Sequence, residues 1–119
     1  MEIYLIIPNK HVDIAEQINN LLLPDTVKYA SKYTDQTLAP TPLYCNNLTL
    51  LSMAELIIPI FIDAGKDFMW ELGYCIGKFP HKIRFGINLN ANTQDLMSYR
   101  SIPRWITFTQ ISEAVKEGW

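Results

Sequence analysis

One stretch limits the folds open to this chain more than any other: residues 56–78, LIIPIFIDAGKDFMWELGYCIGK. Leu56 to Ile62 are branched aliphatics, one phenylalanine and one proline, a composition that suits a strand covered on both faces. A short acidic loop with a glycine follows, and then Phe68, Leu72, Cys75 and Ile76 recur at i, i+4, i+7 and i+8. That spacing is the apolar stripe of a helix lying on a sheet. Glu71 falls about one turn into this helix, between Trp70 and Leu72 and near the carboxyl end of the strand. Open α/β sheets bind their ligands at that edge. The helix N-terminus favours an ionised carboxylate there, and desolvation by apolar neighbours opposes it. A carboxylate under both influences suits a nucleophile or a base; the alternative is a solvated glutamate that only complements the helix dipole.

The rest of the chain supplies the partners such a unit needs. Residues 2–7 form a first buried strand that Pro8 ends. Ile14, Ile18, Leu21 and Leu22 give helical spacing, with Asp13 placed as N-cap, Glu16 as its N3 partner, and Pro24-Asp25 closing the helix. Residues 27–30 read as a short strand, residues 31–42 as a polar loop carrying Pro40 and Pro42, and residues 43–53 as a second helix. Patternless loops of that length often cover a site. Beyond the central unit, residues 82–87 read as a strand, 88–93 as a loop with three asparagines, 94–99 as a helical turn or two, and 105–108 as a last strand. Ile111, Ala114 and Val115 then mark one face of a terminal helix. The alternation predicts a single flavodoxin- or Rossmann-like α/β domain over residues 1–119, with a mainly parallel five-stranded sheet and helices on both faces. Pro59 has no N–H for a ladder, so the central strand must carry a bulge or leave that position unpaired.

Composition narrows the function classes. With 49% hydrophobic residues, 18% charged residues and a formal charge of −2, the chain lacks the basic stripe of a nucleic-acid binder. Its apolar runs are far shorter than a membrane span, and the opening MEIYLIIPNK has no basic region ahead of an apolar one, so a cytoplasmic protein without a leader peptide is expected. Cys45 and Cys75 have neither metal-ligand nor CxxC spacing and read as reduced packing residues. His11 and His81 stand alone, so no metal site is expected.

The segment GKDFMWELGYCIGK resembles the nucleophile motif of the nucleoside 2-deoxyribosyltransferase family, in which a glutamate at an ELGY-type helix start attacks the sugar. Two further segments agree in order: Glu2-Ile3-Tyr4 is similar to the family's first strand, and Asp95-Leu96-Met97-Ser98-Tyr99 to its NLMSW-like segment. The resemblance implies that Glu71 is the nucleophile and Tyr4 its hydrogen-bond partner. It implies that Asp63 or Asp67 holds the deoxyribose hydroxyls, that Asn47 stands where the family handles the base with an aspartate, and that Asp95 and Met97 come from a neighbouring subunit. Asparagine can hydrogen-bond a base but cannot donate a proton as a carboxylic acid does. Trp70, with Phe68, Met69 and Met97, is a candidate for the walls that keep the site dry. No cofactor is implied. The implied partners are a deoxynucleoside and a free nucleobase, in a homodimer or larger even assembly with shared active sites. A related hydrolase acting on deoxynucleoside 5′-monophosphates would use the loop Pro8-Asn9-Lys10-His11, where Lys10 and His11 can neutralise a phosphate but a Gly/Ser backbone nest is missing. A third reading is a non-catalytic nucleotide-binding module on the same fold.

Overall fold

The computed structural model describes residues 1–63, 65–89 and 97–119, Ser98 by its backbone alone. Asp95 and most of the asparagine-bearing loop lie outside the described residues. Five strands, β1 (Glu2–Ile6), β2 (Thr26–Lys28), β3 (Leu56–Phe61), β4 (Gly86–Asn88) and β5 (Trp105–Ile106), pair in parallel in the order β2-β1-β3-β4-β5. Between and after them run α1 (Val12–Leu21), α2 (Ala30–Tyr33), α3 (Pro40–Met53), α4 (Lys66–Lys78), α5 (Met97–Arg100) and α6 (Ile111–Glu117). The expected α/β domain is therefore present, and among the described strands every pairing is parallel.

Strand periodicity sorts the side chains into two cores. On one face Ile3 and Leu5 of β1 and Leu56, Ile58 and Ile60 of β3 meet Ala15 and Ile18 of α1 and Ile111, Ala114 and Val115 of α6. On the other, Tyr4, Ile6, Ile57 and Phe61 meet Leu51 of α3 and Phe68, Leu72 and Cys75 of α4. All six positions of β3 are buried, as its composition requires. Phe61 makes edge-to-face contacts with Phe68, Tyr99 and Trp105, and Tyr99 stacks on Trp105 with ring centroids 3.9 Å apart.

Pro59 needs no bulge. The Phe61 carbonyl accepts the Leu89 N–H at 2.7 Å, so Phe61 and, two residues earlier, Pro59 turn their backbone polar groups toward β4. The β3–β4 ladder begins only at Ile60, and the missing donor falls at its unpaired start.

Several element boundaries move from the sequence expectation. A 3-10 turn, Asn9–His11, runs straight into α1, so His11 rather than Asp13 stands at the cap and Asp13 lies in the first turn without a side-chain cap bond. Helix α3 begins at Pro40, because both prolines fit the first turn, whose N–H groups have no intrahelical acceptor anyway. The expected loop over 31–42 is shortened further by α2. Residues 80–82 form a 3-10 turn, which delays β4 to Gly86, and β5 stops at Ile106 because Thr107 caps a 3-10 turn through a reciprocal bond pair with Gln110. Trp105 and Trp119 are half-buried; the Arg104 guanidinium covers the Trp119 ring at 4.1 Å.

Candidate functional site

In the order β2-β1-β3-β4-β5 the chain reverses direction across the sheet between β1 and β3, and a crevice opens beyond the carboxyl ends of those two strands. A cleft of about 570 Å³ lies there, within the size range of small-molecule sites. Its floor comes from the end of β1 and the loop after it, including Ile7, Asn9 and Lys10. One side is the start of α4, with Asp67, Phe68 and Glu71; the other is α3, with Leu43, Tyr44 and Asn47. Gln36 and Leu38 close it from the segment between α2 and α3.

Glu71 reaches the cleft because β3 ends at Phe61, and α4 starts at Lys66 with its apolar stripe turned to the sheet. Its Oε1 is buried and has no hydrogen-bond partner. Burial raises the carboxyl pKa to about 7, the Tyr4 hydroxyl working against that shift by bonding the charged form, and the Asp67 charge adding to it. Tyr4 stands on the adjacent strand, fully buried, and its own phenol is held well above the ordinary value by burial and then by Glu71. The pair is arranged so that Tyr4 donates to the glutamate and stays protonated. One turn deeper along α4, Cys75 is buried and its thiol is pushed up to about 12, first by desolvation and then by Glu71, which makes it a packing residue.

The two aspartates offered by the loop before α4 separate clearly. Asp63 accepts from Lys10 Nζ at 2.9 Å and from His11 Nε2 at 3.1 Å, contacts that hold its carboxyl below the usual range, and it does not line the cleft. Asp67 lines the cleft one turn before Glu71 on the same helix. Asn47 is buried in α3 and lines the cleft, its Oδ1 accepting from Thr34 Oγ1 at 2.6 Å. With the carbonyl so occupied, the NH2 end of the amide is what a ligand meets. The Asn9 side chain donates to Gln36 Oε1 at 3.0 Å, and Gln36 in turn donates to the Ala30 and Thr34 carbonyls, tying the segment after β2 to the loop after β1.

Of the wall residues named from sequence, Phe68 lines the cleft and Trp70, Met69 and Met97 do not. Trp70 is 46% exposed and lies against Tyr44, ring centroids 4.8 Å apart. Met97 is 84% exposed on α5. Tyr44 and Gln36 were missed by sequence reasoning; the signal for Tyr44 was its place three residues before Asn47, on one face of the helix read over 43–53. Among the described residues no cluster of His, Cys, Asp or Glu is built to hold a metal ion, and no helix is long and apolar enough to cross a membrane.

No protein-family model and no curated protein matches the chain. Among solved structures, the chain is similar to a conserved protein from Enterococcus faecalis V583, with a TM-score of 0.68 and 10% sequence identity over 98% of each chain. At that identity the likeness shows a shared α/β fold and nothing of activity.

Proposed function

We propose that this chain cleaves the N-glycosidic bond of a deoxynucleoside and transfers the 2-deoxyribose to another base through a covalent intermediate on Glu71, in the manner of nucleoside 2-deoxyribosyltransferases. The supporting observation is a carboxyl group at the switch point of the sheet, with one buried oxygen lacking a partner, the Tyr4 hydroxyl beside it, and burial that raises its pKa to about 7. A solvated helix-start glutamate has none of these features.

In the proposed reaction the Glu71 carboxylate adds to C1′ as the bond from C1′ to the base nitrogen breaks. The electron pair leaves with the base, which takes up a proton. Positive charge on the sugar in the transition state is stabilised by the same carboxylate, as in retaining glycosidases. A second base then attacks C1′ through its ring nitrogen, gives up that nitrogen's proton to solvent and releases the carboxylate; water in its place gives free deoxyribose. Tyr4 orients the glutamate and lowers the cost of its charge. Asp67, which faces the cleft, is assigned the sugar hydroxyls in preference to Asp63, which is engaged by Lys10 and His11. That engagement also weighs against the phosphate reading, because Lys10 and His11 both already face a carboxylate. Asp95 and Met97 are assigned to the pocket of a neighbouring copy in an even oligomer.

The deciding experiment incubates the protein with a deoxynucleoside and a different free base and separates the products. A new nucleoside is the expected outcome, abolished in Glu71→Ala, with a sugar adduct on Glu71 when a slow 2-fluoro substrate is used. Free base alone assigns a hydrolase. Full activity in Glu71→Ala refutes the mechanism.

A further inference from the structure

Three aromatic rings of α3 and α4 lie side by side, the first of them at the cleft. Tyr44 of α3 meets Trp70 of α4 at 4.8 Å and a 45° tilt, and Trp70 stacks on Tyr74 of the same helix, rings 5.6 Å apart and within 9° of parallel. Of the three only Tyr44 lines the cleft, and it remains 37% exposed. Trp70 immediately precedes Glu71, so the helical rotation that turns the carboxylate inward carries the indole across to α3. A tyrosine half open to a cleft and contacted by a stacked tryptophan is restrained in orientation, which is what a ring-binding surface requires. Asn47 lies three residues further on the same face of α3, also in the cleft, its carbonyl taken by Thr34 and its NH2 left to donate.

We infer that Tyr44 is the stacking wall for the heteroaromatic ring of the substrate, held in place by Trp70, with Asn47 meeting the ring's edge. This rests on the glycosyl-transfer reading, and it gives the base a place on α3 across the cleft from the Glu71 carboxylate on α4. A flat π surface together with an amide donor is selective for planar rings that carry acceptor nitrogens or carbonyls, and it tolerates exchange of one base for another because every base offers a π face. Trp70 is then a positioning residue, which explains why an aromatic adjacent to the candidate nucleophile stands outside the cleft.

The test measures equilibrium binding of free adenine and of free thymine alongside turnover. Tyr44→Ala should weaken binding of the accepted base roughly ten-fold or more. It should raise the KM for the acceptor base more than it lowers kcat at saturation. Tyr44→Phe should bind as the native protein does, and Trp70→Ala should fall between the two with its melting temperature little changed. Should Tyr44→Ala fail to fold, Tyr44→Leu keeps the bulk without the π face and is expected to show the same loss. Unchanged base binding in the Ala or Leu variant of an active enzyme overturns the stacking wall and leaves the transfer reading standing. Tyr44-dependent base binding without any glycosyl exchange or hydrolysis does the reverse. A native protein that binds neither base overturns the wall, whatever its turnover.

Discussion

The behaviour of Glu71 follows from where its proton goes. Its carboxyl is raised from 4.5 to about 7, chiefly by burial, so in the folded chain Glu71 is half ionised near neutral pH and fully ionised only well above it. The rate of base release from a deoxynucleoside should therefore rise through pH 6–8 and level off. Because the Asp67 charge adds to the shift, Asp67→Asn should move that midpoint to lower pH, whereas Asp63→Asn should leave it in place. Stability runs the opposite way. An unfolded glutamate ionises near 4.5 while the folded one holds its proton to about 7, so the unfolded state gains charge first and stability falls as pH rises across that interval. Above it the cost is constant, at most roughly 3 kcal/mol. Glu71→Gln, which cannot ionise, should be inactive yet more stable than the native chain at pH 8, and equally stable at pH 4. Denaturant titrations at the two values check this, and an equal stability difference at both would mean that the carboxyl is not desolvated.

At the scale of elements, the short strand β4 holds the most constrained contact. A Cβ built on Gly86 would meet Trp105 Cζ3 at 3.0 Å and Ile102 Cγ2 and Pro59 Cγ at 3.3 Å each, so the glycine exists to let the indole cross the strand. Gly86→Ala should destabilise the fold by about 1–3 kcal/mol, and would be read as a lowered melting temperature with the Trp105 fluorescence altered. An unchanged melting temperature would show that Trp105 moves aside freely. This contact was not legible in the sequence, because it joins residues far apart in the chain. What was legible has a local cause. The apolar run of β3, the stripe of α4 and the period of α6 are set by which residues must face a core, and those faces were assigned correctly. Boundaries were misread wherever a turn could continue an element: the prolines at 40 and 42 looked like loop punctuation but open α3, and the 3-10 turn over 9–11 displaces the cap that Asp13 was expected to form. At the site, the nearness of Glu71 and Tyr4 could be anticipated only from the family resemblance, which pairs the two residues. The choice between Asp63 and Asp67 could not, since it depends on Lys10 and His11 folding back across the loop. Tyr44 was hidden for a similar reason, its partner Trp70 lying on the other helix of the same face.

For the molecule as a whole, the open question is whether one chain holds a complete pocket. The radius of gyration of 13.2 Å is about that of a compact domain of this length, and Trp105 and Trp119 are packed into the fold. Neither indole therefore leaves an uncovered apolar surface. Met97 does: a methionine 84% exposed, on a one-turn helix that does not contribute to its own chain's cleft. An unbranched thioether is adaptable enough to fill an irregular gap in another surface. Under the proposed function that surface is the cleft of a second copy, and a two-fold contact would complete two clefts at once. Met97→Asp should then be inactive while its own Glu71 is intact, because a charge would enter the partner's site. Mixed with inactive Glu71→Ala under conditions of subunit exchange, it should regain part of the activity, since some clefts pair an intact Glu71 with an intact Met97. The recovered fraction should rise with the extent of exchange, followed independently by mass spectrometry of the mixed species. Sedimentation of the native protein as a fully active monomer, or no recovery despite proven exchange, would return Met97 to an ordinary surface role and require the cleft of a single chain to suffice.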